Sequence, residues 1–248
     1  LNNAAMIRWR WGGKVPLTVR IPMGARTSSG PFHAKPIEAW LANDPGLVVV
    51  APATPQDAFD LLLECVHLPD PCIVLEHIGL YGLRGGRTGW GQLINQEVDT
   101  TKILSKIKKS PGPYEIGKAK VVRSGTDITI VTWSAMVHVA LEAAEKLSKE
   151  KIEVEVIDLR TLLPWDEETC ISSVNKTNRM MVLQEAQWTG GFGHSVASRI
   201  LESTFFTLES TPTVLGALDT PVPFSPPLEK HTVPSSELVC EHIRNQMA

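Results

Sequence analysis

The chain has no surplus of positive charge. Its 24 lysines and arginines stand against 27 aspartates and glutamates, a formal net charge of -3 with pI near 6.2. Without a basic field nothing would hold a nucleic-acid backbone or an anionic membrane surface, so proteins and small molecules are the expected partners. No apolar run reaches the roughly 18 to 20 residues needed to span a bilayer, and no basic-then-apolar leader opens the chain. Cysteines are few: Cys65, Cys72, Cys170 and Cys240 form no C-x-x-C pair and have no histidine near them at zinc-ligand spacing. They read as reduced, mostly buried thiols of an intracellular protein. Aromatic residues make up only 6%, and of the seven tryptophans only Trp9 and Trp11 lie close together. That spacing offers no stacking platform for single-stranded nucleic acid. There is no internal repeat and no low-complexity tract.

What is present suits an α/β fold. The 248 residues, 43% hydrophobic and 21% charged, allow one large domain or two small ones. Short β-branched runs at 17–21, 47–51, 72–76, 128–133, 154–159, 180–184 and 213–217 alternate with longer amphipathic stretches, the pattern of βαβ units building a parallel sheet. Several of these runs are apolar on consecutive residues, as strands covered on both faces require. A helix is signalled after Thr54, with Thr54 as N-cap, Pro55 at the first helical position and Asp57 complementing the helix dipole. Phe59, Leu62, Leu63 and Val66 fall at three- and four-residue spacing and are the expected buried face. The stretch 135–149 repeats the pattern, with Val137, Ala140, Leu141, Ala144 and Leu147 inward. The opening LNNAAMIR reads as mid-helix and begins on Leu1, so sequence upstream is expected.

The stretch 82–117 carries Arg84-Gly85-Gly86-Arg87, the lysines Lys102, Lys106, Lys108 and Lys109, and Pro111-Gly112-Pro113. It is too long and polar for a tight connection between a strand and a helix, so it reads as an interdomain crossover. The expected division is a first domain at 1–83, a linker at 84–118 and a second domain at 119–248.

Three places offer chemistry. The loop at 24–33 follows a strand and ends in His33, and loops at strand ends are where α/β sheets place their sites. His33 can exchange protons near neutral pH, or it can simply organise the loop's hydrogen bonds. The run Thr189-Gly190-Gly191-Phe192-Gly193-His194 leads into a helix. It lacks the G-x-G-x-x-G order and the G-K-[ST] ending of phosphate loops, so close packing of helix on sheet is the better reading. Asp158-Leu159-Arg160 closes a strand, and its charges read as an interface or domain-contact pair, while Asp219 reads as a turn former.

The motifs go further than the periodicity. VPLTVRIPMG at 15–24, His33, EAW at 38–40, DPGLVVV at 44–50, PCIVLE at 71–76, IGKAKV at 116–121, Val154 with IDLRT at 157–161, NKTNR at 175–179 and GGFG at 190–193 follow in order along almost the whole chain. Together they resemble the beta subunits of thiamine-diphosphate-dependent 2-oxo acid dehydrogenases of the pyruvate and branched-chain type. The resemblance implies the latter part of a pyrimidine-binding domain followed by a three-layer α/β/α transketolase C-terminal domain. It also implies oxidative decarboxylation of a 2-oxo acid with acyl transfer to a lipoyl group. An alpha subunit would hold the thiamine diphosphate and its magnesium. A beta-beta contact within a heterotetramer and a lipoyl acyltransferase core would complete the assembly, in a bacterial or archaeal cytoplasm or a mitochondrial matrix.

His33 matches the family's active-site histidine, although Ala34 and Lys35 replace the Ser-Gln that usually follows it. The family's cofactor-contacting glutamate belongs upstream of Leu1. No metal ligand is assigned, since Leu68 stands where the family's alkali-metal site would have an aspartate. The competing readings are a transketolase or deoxyxylulose-phosphate synthase fragment, and a noncatalytic beta-like scaffold.

Overall fold

The computed structural model describes residues 2–81 and 116–248. The motifs between Arg84 and Pro113, and the 84–118 crossover apart from 116–118, lie outside the described residues. No helix among the described residues is long and apolar enough to cross a membrane.

The chain builds two sheets. In the first, β1 (Thr18–Met23), β3 (Cys72–His77) and β2 (Val48–Val50) run parallel in that spatial order, with Thr18 and Val48 both in register with Cys72. In the second, β6 (Val154–Asp158), β5 (Ile128–Thr132), β8 (Met180–Gln187) and β9 (Thr213–Ala217) are parallel, and β4 (Lys120–Arg123) pairs antiparallel on the outer edge of β6. Every residue of β5 and β6 is buried, which their near-continuous β-branched composition allows. The seven expected strands are all present.

Two further strands carry no such signal. β4 is half exposed and charged at both ends, and β7 (Thr161–Leu163) is three residues long. β7 nonetheless joins the two halves of the molecule: it leaves the second sheet and pairs antiparallel with β2 on the edge of the first.

The helices cover both faces of the second sheet. α4 (Met136–Ser148) packs with α8 (Ser236–Met247) on one side, burying Ala143, Leu147, Val239 and Ile243 among others. α5 (Glu167–Thr177) and α6 (Gly193–Thr204) lie on the other, through Cys170, Val174, Val196 and Ile200. That is the expected three-layer arrangement. α5 starts at Asp166, whose carboxylate accepts from Thr169 N–H, and ends on Asn178 in the left-handed conformation. The core between the sheets is shared. Val49, Ile73 and Leu75 of the first sheet join Val131, Ile157 and Val182 of the second in one cluster. All four cysteines are buried and unpaired.

α1 (Asn2–Trp11) covers the outer part of the first sheet through Ala5, and α2 (Glu38–Ala42) and α7 (Pro226–Thr232) are short. α3 (Pro55–His67) starts as expected, with Thr54 accepting from Asp57 N–H, but it is turned away from the expected orientation. Asp57, Leu61, Glu64 and Cys65 are buried, Phe59, Leu62 and Leu63 are half-buried, and Val66 is 56% exposed. Polar partners decide the rotation. Asp57 pairs with Arg160 and Glu64 accepts from Ile116 N–H, so the inward stripe follows the charges, not the apolar spacing.

Candidate functional site

The C-terminal ends of β1, β3 and β8 meet between the two sheets, where open α/β folds place ligands. Their meeting point is Glu185, 7% exposed at the end of β8. One carboxylate oxygen accepts from Ala25 N–H at 2.7 Å, just past β1. The other lies 2.7 Å from His77 Nε2 at the end of β3. Gly79 N–H lies 3.1 Å from His77 Nδ1, which turns Nε2 toward Glu185. Burial pushes the Glu185 carboxyl up, but the His77 ring, the Ala25 N–H and the Arg26 guanidinium outweigh it and hold the group below its usual range. Arg26 is itself lowered to about 10 by burial.

A second acid behaves in the opposite way. Glu38, at the start of α2, is 1% exposed, and its Oε2 has no hydrogen-bond partner among the described residues. Burial raises it to about 7, and the Glu185 carboxylate adds to the rise; its own backbone N–H, the Trp133 indole and His77 oppose it only in part. A carboxyl held ionised and a protonatable one thus influence each other electrostatically.

Above them a cleft of about 720 Å³ opens between the halves of the molecule, walled by Lys35 and Trp40 on one side and Gly190, Gly191, Asp219 and Val222 on the other. Lys35 Nζ lies 5.0 Å from the centre of the Trp40 ring. His33 is exposed on the turn between Pro31 and Lys35, both of which line the cleft. It makes no hydrogen bond among the described residues. The imidazole is therefore open to a ligand or a neighbouring chain.

The glycine run is built by packing. A side chain on Gly191 or Gly193 would collide with Gln184, and Gly193 N–H donates to Gln184 Oε1 at 2.6 Å. The first amide of α6 is thereby satisfied from within. Asp219 accepts from both the N–H and the hydroxyl of Thr189, at 2.9 and 2.7 Å, so this aspartate pins the glycine loop to the turn after β9. Those two bonds hold its carboxyl below the ordinary range.

Asp158 and Arg160 are a domain contact. Arg160 sits at φ 57°, reaches Asp57 of α3 at 3.4 Å and donates to Lys118 O at 2.8 Å. Asp158 accepts from Arg160 N–H and is raised well above the usual carboxylate range by burial and by Asp57.

Glu185, His77 and Glu38 escape sequence reasoning. Two of the three did carry a signal: Glu185 and His77 are ionisable residues closing apolar parallel strands, at the ends where such sheets keep their sites.

This two-sheet architecture with its interdomain cleft is that of transketolase-type proteins. The family model described as Transketolase, pyrimidine binding domain matches residues 1–83, and that described as Transketolase, C-terminal domain matches 117–239. The "Pyruvate dehydrogenase E1 component subunit beta" of Bacillus subtilis (strain 168) is 38% identical over 226 residues, 90% of this chain and 64% of that protein. The "Acetoin:2,6-dichlorophenolindophenol oxidoreductase subunit beta" of Cupriavidus necator is 36% identical over 248 residues, 99% of this chain and 68% of that protein. A solved structure titled "Split gene transketolase, inactive beta4 tetramer" superposes with a TM-score of 0.67 at 21% identity, over 97% of this chain and 70% of that one, and shows the shared fold. The chain belongs to the transketolase-type family of beta subunits that includes those of pyruvate dehydrogenase. It spans about two thirds of the length of the curated relatives it matches.

Proposed function

We propose that the full-length protein is the beta subunit of the decarboxylating component of a 2-oxo acid dehydrogenase complex. The observation that carries this is the identity of 36 to 38% to dehydrogenase and oxidoreductase beta subunits along 90 to 99% of the chain. In this reading residues 1–83 face the coenzyme, 84–118 link, and 119–248 form the C-terminal domain. An alpha subunit contributes the remaining walls and holds most of the thiamine diphosphate and its magnesium. The half-exposed apolar stripe Phe59, Leu62, Leu63 and Val66 on α3 supports burial against another subunit, as in a heterotetramer with a beta-beta contact. The buried, unpaired thiols go with a reducing cytoplasm or mitochondrial matrix.

The groups in and beside the cleft fit a share in such a coenzyme site. His33 offers an unengaged imidazole, Trp40 a ring 69% exposed, and Gly190 a backbone with open space around it. When bound, thiamine diphosphate supplies the electron sink for loss of carbon dioxide from a 2-oxo acid. His33 donates a hydrogen bond to an oxygen that gains charge, or moves a proton to and from it, while the acyl unit passes to a lipoyl group on the acyltransferase core. The walls of the cleft orient the substrate and exclude water.

The test is co-purification of the full-length chain with its alpha subunit, followed by an assay of thiamine-diphosphate-dependent decarboxylation. His33→Ala is expected to lower turnover by about 100-fold or more. A variant with full turnover would remove His33 from the site, and phosphorylated sugars serving as better substrates would favour a transketolase-like activity instead.

A further inference from the structure

The loop 24–30 adopts a backbone that it cannot favour on its own. Gly24, Arg26, Ser28 and Gly30 all have φ between 56 and 101°, and two of these four carry side chains. L-residues rarely enter that region, and they stay there only where surrounding contacts over-determine the conformation. The contacts come from the other half of the chain. Ala25 N–H donates to Glu185, Ser28 N–H donates to both oxygens of Glu229 at 3.2 and 3.1 Å, and Arg26 Nη2 donates to Pro234 O at 2.9 Å. Gly30 lies against the Phe224 ring, and Gly24 against His77, which Glu185 also holds.

We propose that Glu185 is a positioning residue: by clamping Ala25 and His77 together across the domain boundary, it sets the loop that carries His33 at the edge of the cleft. The proposal rests on the reading of His33 given above. Three features support the assignment. Glu185 is buried and both of its oxygens are engaged, one on the loop and one on the strand end beneath it. Ala25 is 1% and Ala34 0% exposed, so the segment is anchored on either side of the exposed turn bearing His33. Ala25 and Ala34 also pack in one small cluster with Ala217, Val222 and Val233 of the C-terminal half. A shift of the clamp therefore moves the turn as a unit. Misplacement of a reacting group by about 1 Å can cost on the order of 100-fold in rate.

Hydrogen exchange followed by mass spectrometry, on the full-length protein assembled with its alpha subunit, reads the clamp directly. In Glu185→Ala, exchange across 24–30 is expected to accelerate by about tenfold or more, while β5 and β6 stay as protected as in the unmodified protein. Turnover of the same assembly is expected to fall by about 10- to 100-fold with KM for the 2-oxo acid unchanged. Adding Glu185→Ala to His33→Ala is expected to cost nothing more, because the two act through one group. Glu185→Gln keeps one oxygen for Ala25 but loses the charge; it should lie between and serves where the alanine variant does not assemble. Unchanged exchange across 24–30, or losses that multiply in the double variant, overturns the proposal. If His33→Ala alone leaves turnover intact, the reading of His33 fails separately, and the exchange result by itself then decides whether Glu185 clamps the loop.

Discussion

The two loops that wall the cleft are held in opposite ways. At Gly191 and Gly193 the glycine loop before α6 is fixed sterically and from its own strand, while Asp219 pins its start at Thr189: Gln184 of β8 fills the space that side chains on Gly191 and Gly193 would need, and accepts from the first amide of the helix. The loop after β1 is fixed electrostatically and from a distance, by Glu185 and Glu229, which lie 160 and 201 residues further along the chain from the amides they accept. A sterically held loop resists changes of pH and salt, whereas one held by buried carboxylates depends on their protonation.

The comparison is broken most severely on the steric side. Gly191→Ala places a methyl group against the Gln184 amide, which is 0% exposed, and must displace a buried, hydrogen-bonded side chain. Overpacking and a lost buried hydrogen bond together are expected to cost about 4 kcal/mol, at any pH, measured by denaturant unfolding. Stability within about 1 kcal/mol of the unmodified protein would show that Gln184 can move aside cheaply.

On the electrostatic side the sensitive probe is Glu38. Its folded-state value is raised to about 7, so its contribution is fully present below the unfolded value near 4.5 and is lost as pH rises through 7. Across that window the loss is on the order of 3 kcal/mol. Gln mimics the protonated acid, so Glu38→Gln should unfold with a shallower pH dependence between 4.5 and 7 and be the more stable protein at pH 8. Parallel pH profiles for the two proteins would show that Glu38 does not titrate in this window. The smallest effect is expected at Asp219, which is exposed. Asp219→Ala should leave overall unfolding unchanged while speeding hydrogen exchange at Thr189, the residue it pins.

Much of this was legible in the amino-acid order because it is local. The seven parallel strands and the Thr54 cap each follow from signals within a few residues. β4 and β7 were not legible, since an exposed edge strand and a three-residue strand bury too little to leave a pattern. The face of α3 was misread for a related reason: the apolar spacing of Phe59, Leu62, Leu63 and Val66 is real, but Asp57 and Glu64 find partners in Arg160 and Ile116 that no local window contains. At the site, His33 and the glycine run stood out by position and composition, whereas Glu38 looked like an ordinary first-turn acid of a surface helix.

The order of residues alone determined the α/β class, the place of the loops at strand ends and the family to which the chain belongs, because period, caps and motifs are short-range properties. Only the tertiary structure decided which charges lie buried and against what. The pairing of Glu185 with Ala25 and His77, the burial of Glu38 and the turn of α3 all depend on desolvation, and desolvation depends on which distant segments close over a group.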